Sequence, residues 1–152
     1  MIIDNLAKDI KIYRVSFLKK KNSIKSEFFE LNNGLRTCLK LTKMTDQLIQ
    51  SIYRKILSTD KISNKDLIVC ALGGYGRENL APFSDLDLLF VPFSKERKIS
   101  IAIEKILYFL WDLGFKVGHA VRDLGEIIET AKKDFVIQTS LLDCRNICGD
   151  NE

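Results

Sequence analysis

The chain has 152 residues, 46% of them hydrophobic and 29% charged, with a formal net charge of +4. That length and balance describe one soluble globular domain able to bury its own core. They argue against a membrane-spanning protein, because no apolar run approaches the roughly 18 residues a span needs, and against a nucleic-acid binder, because +4 suits a small anion but is too weak for a polyanion.

The four cysteines, Cys38, Cys70, Cys144 and Cys148, include no pair at two-residue spacing, and His119 is the single histidine. Reduced thiols in a cytoplasmic protein are expected rather than a zinc site. Met1-Ile2-Ile3-Asp4 does not open a signal peptide.

In chain order, residues 1–26 are basic and mixed, and Lys19-Lys20-Lys21 reads as a solvated face or helix end. A helix is expected over Glu27 to Lys43, with Asn32-Asn33-Gly34 as a break. Thr45-Asp46 reads as the cap of a helix running to Leu57. Its apolar residues Leu48, Ile49, Ile52, Tyr53, Ile56 and Leu57 recur at three and four, a stripe suited to covering a sheet. Ser58 to Lys65 is a polar loop. Leu67 to Leu72 is an apolar run stopped by glycines, which predicts a buried strand. The turn Gly73-Gly74-Tyr75-Gly76 follows, then the turn Pro82-Phe83-Ser84, then a second buried strand over Asp85 to Phe90. Pro92 to Lys98 is a basic loop. Ile99, Ile103, Ile106, Leu107, Leu110 and Trp111 give helical spacing up to Gly114, and Trp111 falls on that stripe as a core residue. Phe115 to Arg122 reads as a strand, and Asp123 caps a helix to about Lys133. Leu141 to Arg145 is expected to be the last strand, although Val136 to Leu142 also suits a helix. Strands alternating with helices imply an α/β sheet.

The stretch Leu67 to Phe90 carries the chemistry. Residues two apart on a strand face the same side, so Asp85 and Asp87 project together. Two carboxylates on one face of an apolar strand repel and are costly to bury unless a cation neutralises them. Glycines allow backbone N–H groups to approach a phosphate closely. A phosphate cradle beside a paired-carboxylate metal site is the apparatus of nucleotidyl transfer.

Gly73-Gly74, followed about a dozen residues later by Asp85-x-Asp87, resembles the signature of the DNA polymerase beta-like nucleotidyltransferase superfamily. The longer string resembles the N-terminal domain of the PII protein uridylyltransferase family, which carries Gly-Gly-Tyr-Gly-Arg-Gly-Glu-Leu and then Pro-x-Ser-Asp-x-Asp. The chain matches at Gly73, Gly74, Tyr75, Gly76, Arg77, Leu80, Pro82, Ser84, Asp85 and Asp87. The likeness continues through Leu110 to Gly114, Val117 to Arg122 and Thr139 to Arg145, and so covers roughly Ile68 to Asp150. It departs at Glu78-Asn79, where the family has Gly-Glu.

The resemblance implies a nucleotidyltransferase-type α/β (α+β) fold: a mixed β-sheet with packed helices, preceded by an N-terminal helical segment. The expected division is a helical segment at 1–60 and a nucleotidyltransferase core at 61–152, truncated relative to the family. The implied reaction transfers a uridylyl group from UTP, or another nucleoside triphosphate, to a tyrosine of the PII signalling protein. Mg²⁺ would be held by Asp85 and Asp87, with a third carboxylate from Asp143 or, as its rival, Asp123. Nucleotide contacts are implied at Gly73, Gly74, Arg77 and Ser84. The two glycines would open a helix whose N-terminus faces the phosphates; Arg77 suits either a phosphate or a local acid. Arg145, two places beyond Asp143, would face the same side of a strand and balance it or touch phosphate. His119 reads as structural. The family's uridylyl-removing site is a His-Asp metal centre that one histidine cannot build. The alternatives are a catalytically inactive remnant or nucleotide-binding module, and a stand-alone protein adenylyltransferase.

Overall fold

The computed structural model describes residues 2–150, with side chains described from residue 10 onward; Met1, Asn151 and Glu152, at the two ends of the expected division, lie outside the described residues. Helix α1 spans Ile2–Leu31. It lays Tyr13 edge-on against Phe109, with ring centroids 5.4 Å apart, and Phe17 against Phe115 at 5.0 Å. The chain then turns at Asn32, in left-handed backbone with φ of 49°. Asn33 starts α2 (Gly34–Asp60) by accepting the Arg36 N–H at 3.0 Å. The expected break is therefore real, but the second expected helix start is not. Thr45-Asp46 lies inside α2, with Thr45 buried. The apolar stripe continues backwards through Met44 and Leu41, and Asp46 has a long-range partner in place of a helix end to cap.

Strand β1 (Leu67–Ala71) leads into the single helical turn α3 (Gly73–Gly76) and then β2 (Leu86–Pro92). Helix α4 (Arg97–Asp112) carries the chain over to β3 (Val117–Val121). Gly114, at φ of 90°, ends α4: its N–H reaches the Trp111 carbonyl at 2.8 Å, and the Phe115 N–H reaches that of Leu110 at 3.1 Å. Helices α5 (Leu124–Lys133) and α6 (Phe135–Leu142) precede β4 (Arg145–Cys148). The sheet order is β3-β2-β1-β4. β1 runs antiparallel to β2 and β4, while β2 and β3 are parallel and need the α4 crossover. This is the mixed sheet with packed helices that the sequence led us to expect.

Strand parity divides the side chains between two faces. Leu67, Val69, Ala71, Leu86, Leu88 and Phe90 enter the main core with the stripes of α2 and α4. Phe90 is fully buried, and burial of such a ring contributes about 1.5–3 kcal/mol. On the other face, Cys70, Leu89 and Val91 form a small second core with Ile127 of α5 and Leu141 of α6. Asp87 belongs to that second face, at the end of β2 beside the glycine turn.

Two further expectations are corrected. Trp111 is not core: it is 42% exposed and stacks edge-on with Tyr108 and His119, because Leu110 and Leu107 fill the buried side of α4. The last strand begins at Arg145, not Leu141. Asp134 accepts the N–H groups of Val136 and Ile137 at 2.8 and 3.3 Å and starts a helix through the apolar run. Among the described residues no helix is long and apolar enough to cross a membrane, and the four cysteines are free.

Candidate active site

The glycine turn is built from the end of β1. Gly73 sits at φ of 55°, where an L side chain is strained. The turn closes with Gly76 N to Leu72 O at 2.9 Å and Arg77 N to Gly73 O at 3.0 Å. The N–H groups of Gly73, Gly74 and Tyr75 precede the first closing bond, so the turn itself offers them no acceptor. The helix expected to open here is only four residues long. Attraction of an anion therefore rests on those N–H groups and on close approach, not on a macrodipole.

Asp87 is the exposed residue of an otherwise buried strand. Its backbone carbonyl accepts the Leu72 N–H at 2.9 Å, which ties β2 to the start of the turn. Its carboxylate lies between two glycines. A Cβ placed on Gly73 would stand 3.6 Å from Oδ2, and one placed on Gly118 would stand 2.6 Å from Oδ1. Gly118 is the residue opposite Asp87 on β3. The Asp87 carboxylate thus lies in the space that a side chain on the neighbouring strand would need. Asp85 is also exposed, but it lies just before β2, which begins at Leu86 and not at Asp85 as expected, so strand parity alone does not set its direction. Among the described residues neither carboxylate has a hydrogen-bond or ion-pair partner. Two solvent-facing, unneutralised carboxylates with hard oxygen donors fit Mg²⁺, which binds through one or two carboxylates and completes its shell from water and substrate phosphate.

The structure places the remaining expected residues differently from one another. Ser84 is exposed on the loop before Asp85, and its hydroxyl donates to the Ala81 carbonyl at 2.9 Å. Arg77 is exposed and ion-paired with Asp143 through Nη1, so it meets an acid here rather than standing free for a phosphate. Asp143 caps the end of α6, off the sheet, because the residues before it are helical. Its main chain closes against the turn: a Cβ on Gly76 would come within 1.9 Å of the Asp143 carbonyl oxygen. Asp123 is held in a capping box, accepting the Glu126 N–H at 2.9 Å while Glu126 accepts the Asp123 N–H at 3.0 Å. His119 alternates with Gly118 and so faces away from Asp87, toward Trp111 at 6.1 Å. Among the described residues no group of three metal-ligating side chains occurs.

Arg145 does not share a face with Asp143. It forms a two-pronged ion pair with Asp46 of α2, at 2.9 and 3.1 Å. Its Nε and Nη2 donate to the carbonyls of Gly76 and Tyr75 at 3.1 and 3.3 Å. The Tyr75 hydroxyl donates to Asp46 at 2.7 Å. Burial works against the Arg145 charge, but the bonds and charge of Asp46 outweigh it and raise the guanidinium pKa. Burial, reinforced by Asp46, also raises that of the Tyr75 phenol. Sequence reasoning missed Asp46, whose partner lies 99 positions away. It also missed Gly118, although an isolated glycine inside a strand signals close approach by another group.

The departure from the resembling string puts a side chain where the backbone favours glycine, at Glu78. Glu78 has φ of 62°, left-handed backbone, at the position where that string has glycine. Asn79 follows with its N–H on the Gly74 carbonyl at 2.8 Å.

No family model matches the chain. Individual relatives do. A bifunctional uridylyltransferase/uridylyl-removing enzyme of Phenylobacterium zucineum (strain HLK1) is 41% identical over 125 residues, which is 78% of this chain and 13% of that protein. One from Caulobacter vibrioides (strain NA1000 / CB15N) is 37% identical over 150 residues, 95% of this chain and 16% of that protein. One from Azospirillum brasilense is 49% identical over 82 residues, 53% of this chain and 9% of that protein. The chain therefore spans a small part of the length of the curated relatives it matches. By this similarity, which runs through both the glycine turn and the acidic strand, the chain belongs to the bifunctional uridylyltransferase/uridylyl-removing enzyme family, of which it matches one segment.

Proposed function

We propose that this chain is a magnesium-dependent nucleotidyltransferase unit that transfers a uridylyl group from UTP to a tyrosine hydroxyl of the PII protein, breaking the α–β phosphoanhydride bond and releasing pyrophosphate. The observation that carries the reading is Asp87: an exposed, unpaired carboxylate on a buried strand, lodged between the glycine turn and a glycine of the next strand. Asp85 and Asp87 would hold the metal, and the N–H groups of Gly73 and Gly74 would meet the β- and γ-phosphates. When bound, magnesium supplies charge neutralisation for the triphosphate and a lowered pKa for the acceptor hydroxyl. The residues of the chain contribute position: the glycine turn would orient the phosphates, and the absence of a Gly118 side chain makes room for the Asp87 carboxylate itself beside that turn. Arg77, held by Asp143, fixes the rim of the turn.

One observation favours a second reading, a nucleotide-binding module without turnover: the strand neighbour of Asp87 is a glycine, so β3 supplies no third carboxylate beside it. A single assay separates the two. The purified chain is incubated with Mg²⁺, α-labelled UTP and PII, and label on PII is counted. The proposal expects Mg²⁺-dependent labelling that falls about 100-fold or more in Asp87→Asn. Nucleotide binding without labelling would leave the second reading, and labelling that survives Asp87→Asn would defeat the first.

A further inference from the structure

Helix α2 grips the loop that follows β1 at two points one helical turn apart. Thr42 Oγ1 accepts the Leu80 N–H at 3.1 Å, at the far end of the loop. Asp46, four residues on and therefore on the same helix face, orients Arg145, which reaches under the glycine turn. There the Arg145 fork satisfies two carboxylate oxygens and two backbone carbonyls at once, and its guanidinium carbon lies 5.5 Å from the Tyr75 ring centroid. Tyr75 is 2% exposed, and its hydroxyl returns to the same Asp46. In a helical turn the carbonyls and N–H groups point to opposite ends. Holding the Tyr75 and Gly76 carbonyls from behind therefore fixes where the N–H groups of Gly73 and Gly74 point.

We infer that Arg145 and Asp46, with Tyr75 as their link to the turn, are positioning residues for the triphosphate cradle: they touch no nucleotide and set the geometry of the groups that do. This rests on the nucleotidyltransferase reading above. It differs from a role in stability alone in one respect. The energy of the network is spent on the groups that meet the β- and γ-phosphates, so its loss discriminates between nucleotides by phosphate number. Lysine at 145 keeps the charge but loses the planar fork. Phenylalanine at 75 keeps the ring and loses only the hydroxyl link.

The test is a titration of the full chain with UTP and, separately, UMP, each with Mg²⁺, followed by the amide resonances of Gly73 and Gly74 and run well below each variant's unfolding midpoint. Arg145→Lys is expected to weaken UTP binding about tenfold, the scale of a lost charged hydrogen bond. Tyr75→Phe, which preserves packing, should weaken it about threefold by the same scale. UMP binding should change by less than about twofold in both, and the UTP-induced shifts of the two glycine amides should shrink. Unchanged UTP affinity in folded Tyr75→Phe and Arg145→Lys, or an equal loss for UTP and UMP, overturns the inference while leaving the nucleotide reading intact. A wild-type chain that binds neither nucleotide overturns that reading, and the inference with it.

Discussion

Gly118→Ala is a perturbation whose effects on stability and on activity should separate. The added methyl would stand 2.6 Å from Asp87 Oδ1, against 3.4 Å for an ordinary contact, so the carboxylate must withdraw by roughly 0.8 Å. The obstructed atom is the free end of an exposed side chain with no partner among the described residues. It can therefore yield, at about 0.5–1.5 kcal/mol for leaving its rotamer. Replacing glycine by alanine returns about 0.4–1 kcal/mol through the unfolded chain. The two nearly cancel, and the unfolding midpoint should move by no more than about 3 °C. Activity has no such compensation, since a reacting group displaced by about 1 Å loses on the order of 100-fold. Thermal unfolding by circular dichroism and labelled-UTP transfer to PII, measured on the same preparation, give both numbers. Full transfer activity in Gly118→Ala would show that Asp87 is not at the reacting centre. A midpoint lowered by more than about 10 °C would show that the carboxylate cannot move aside and that the packing argument is wrong.

The other expectations are simpler. Glu78→Gly relieves left-handed backbone that costs a side chain about 1–2 kcal/mol but returns about 0.4–1 kcal/mol of freedom to the unfolded chain, so the midpoint should rise by about 1–3 °C; a lowered midpoint would mean that the Glu78 side chain offsets the strain. The Cys144 thiol is lowered to about 7 by the hydrogen bond from Cys70, against the opposing effect of burial, whereas burial raises Cys148 to about 12. The thiolate is the reactive form, so alkylation of Cys144 by iodoacetamide should grow as pH rises through 7, with Cys148 inert over that range. Peptide mass spectrometry across pH 5.5–9 reads both; a Cys144 midpoint near the ordinary thiol value of about 8.5 would contradict the contact.

The region from β1 to β2 was legible because each signal there is local. The apolar run, the glycines that end it and the acids one strand period apart need no knowledge of the rest of the chain, and the α2 and α4 stripes are equally plain. The C-terminal third was harder for a physical reason. Phe135 to Leu142 has two apolar blocks around a polar Gln138-Thr139-Ser140, so neither a two-residue nor a 3.6-residue period shows, and the choice of helix falls to the cap at Asp134. That choice decides the fate of Asp143 and Arg145. On a strand they would point together; with a helix end between them, one meets Arg77 and the other Asp46. Thr45-Asp46 misled in the opposite sense: the residues that cap helices also serve as long-range partners, and only the tertiary structure distinguishes the two uses. Gly118 was legible in principle, since a glycine within a strand weakens it unless something must pass close by.

The most direct measurement is to locate a divalent ion. Mn²⁺ in place of Mg²⁺, with a non-hydrolysable UTP analogue, can be placed in crystals of this chain by its anomalous scattering. The account expects the ion on the carboxylates of Asp85 and Asp87, with phosphate oxygens completing its shell beside Gly73 and Gly74. An ion bound elsewhere, or one retained at the same place in Asp85→Asn/Asp87→Asn, would contradict it.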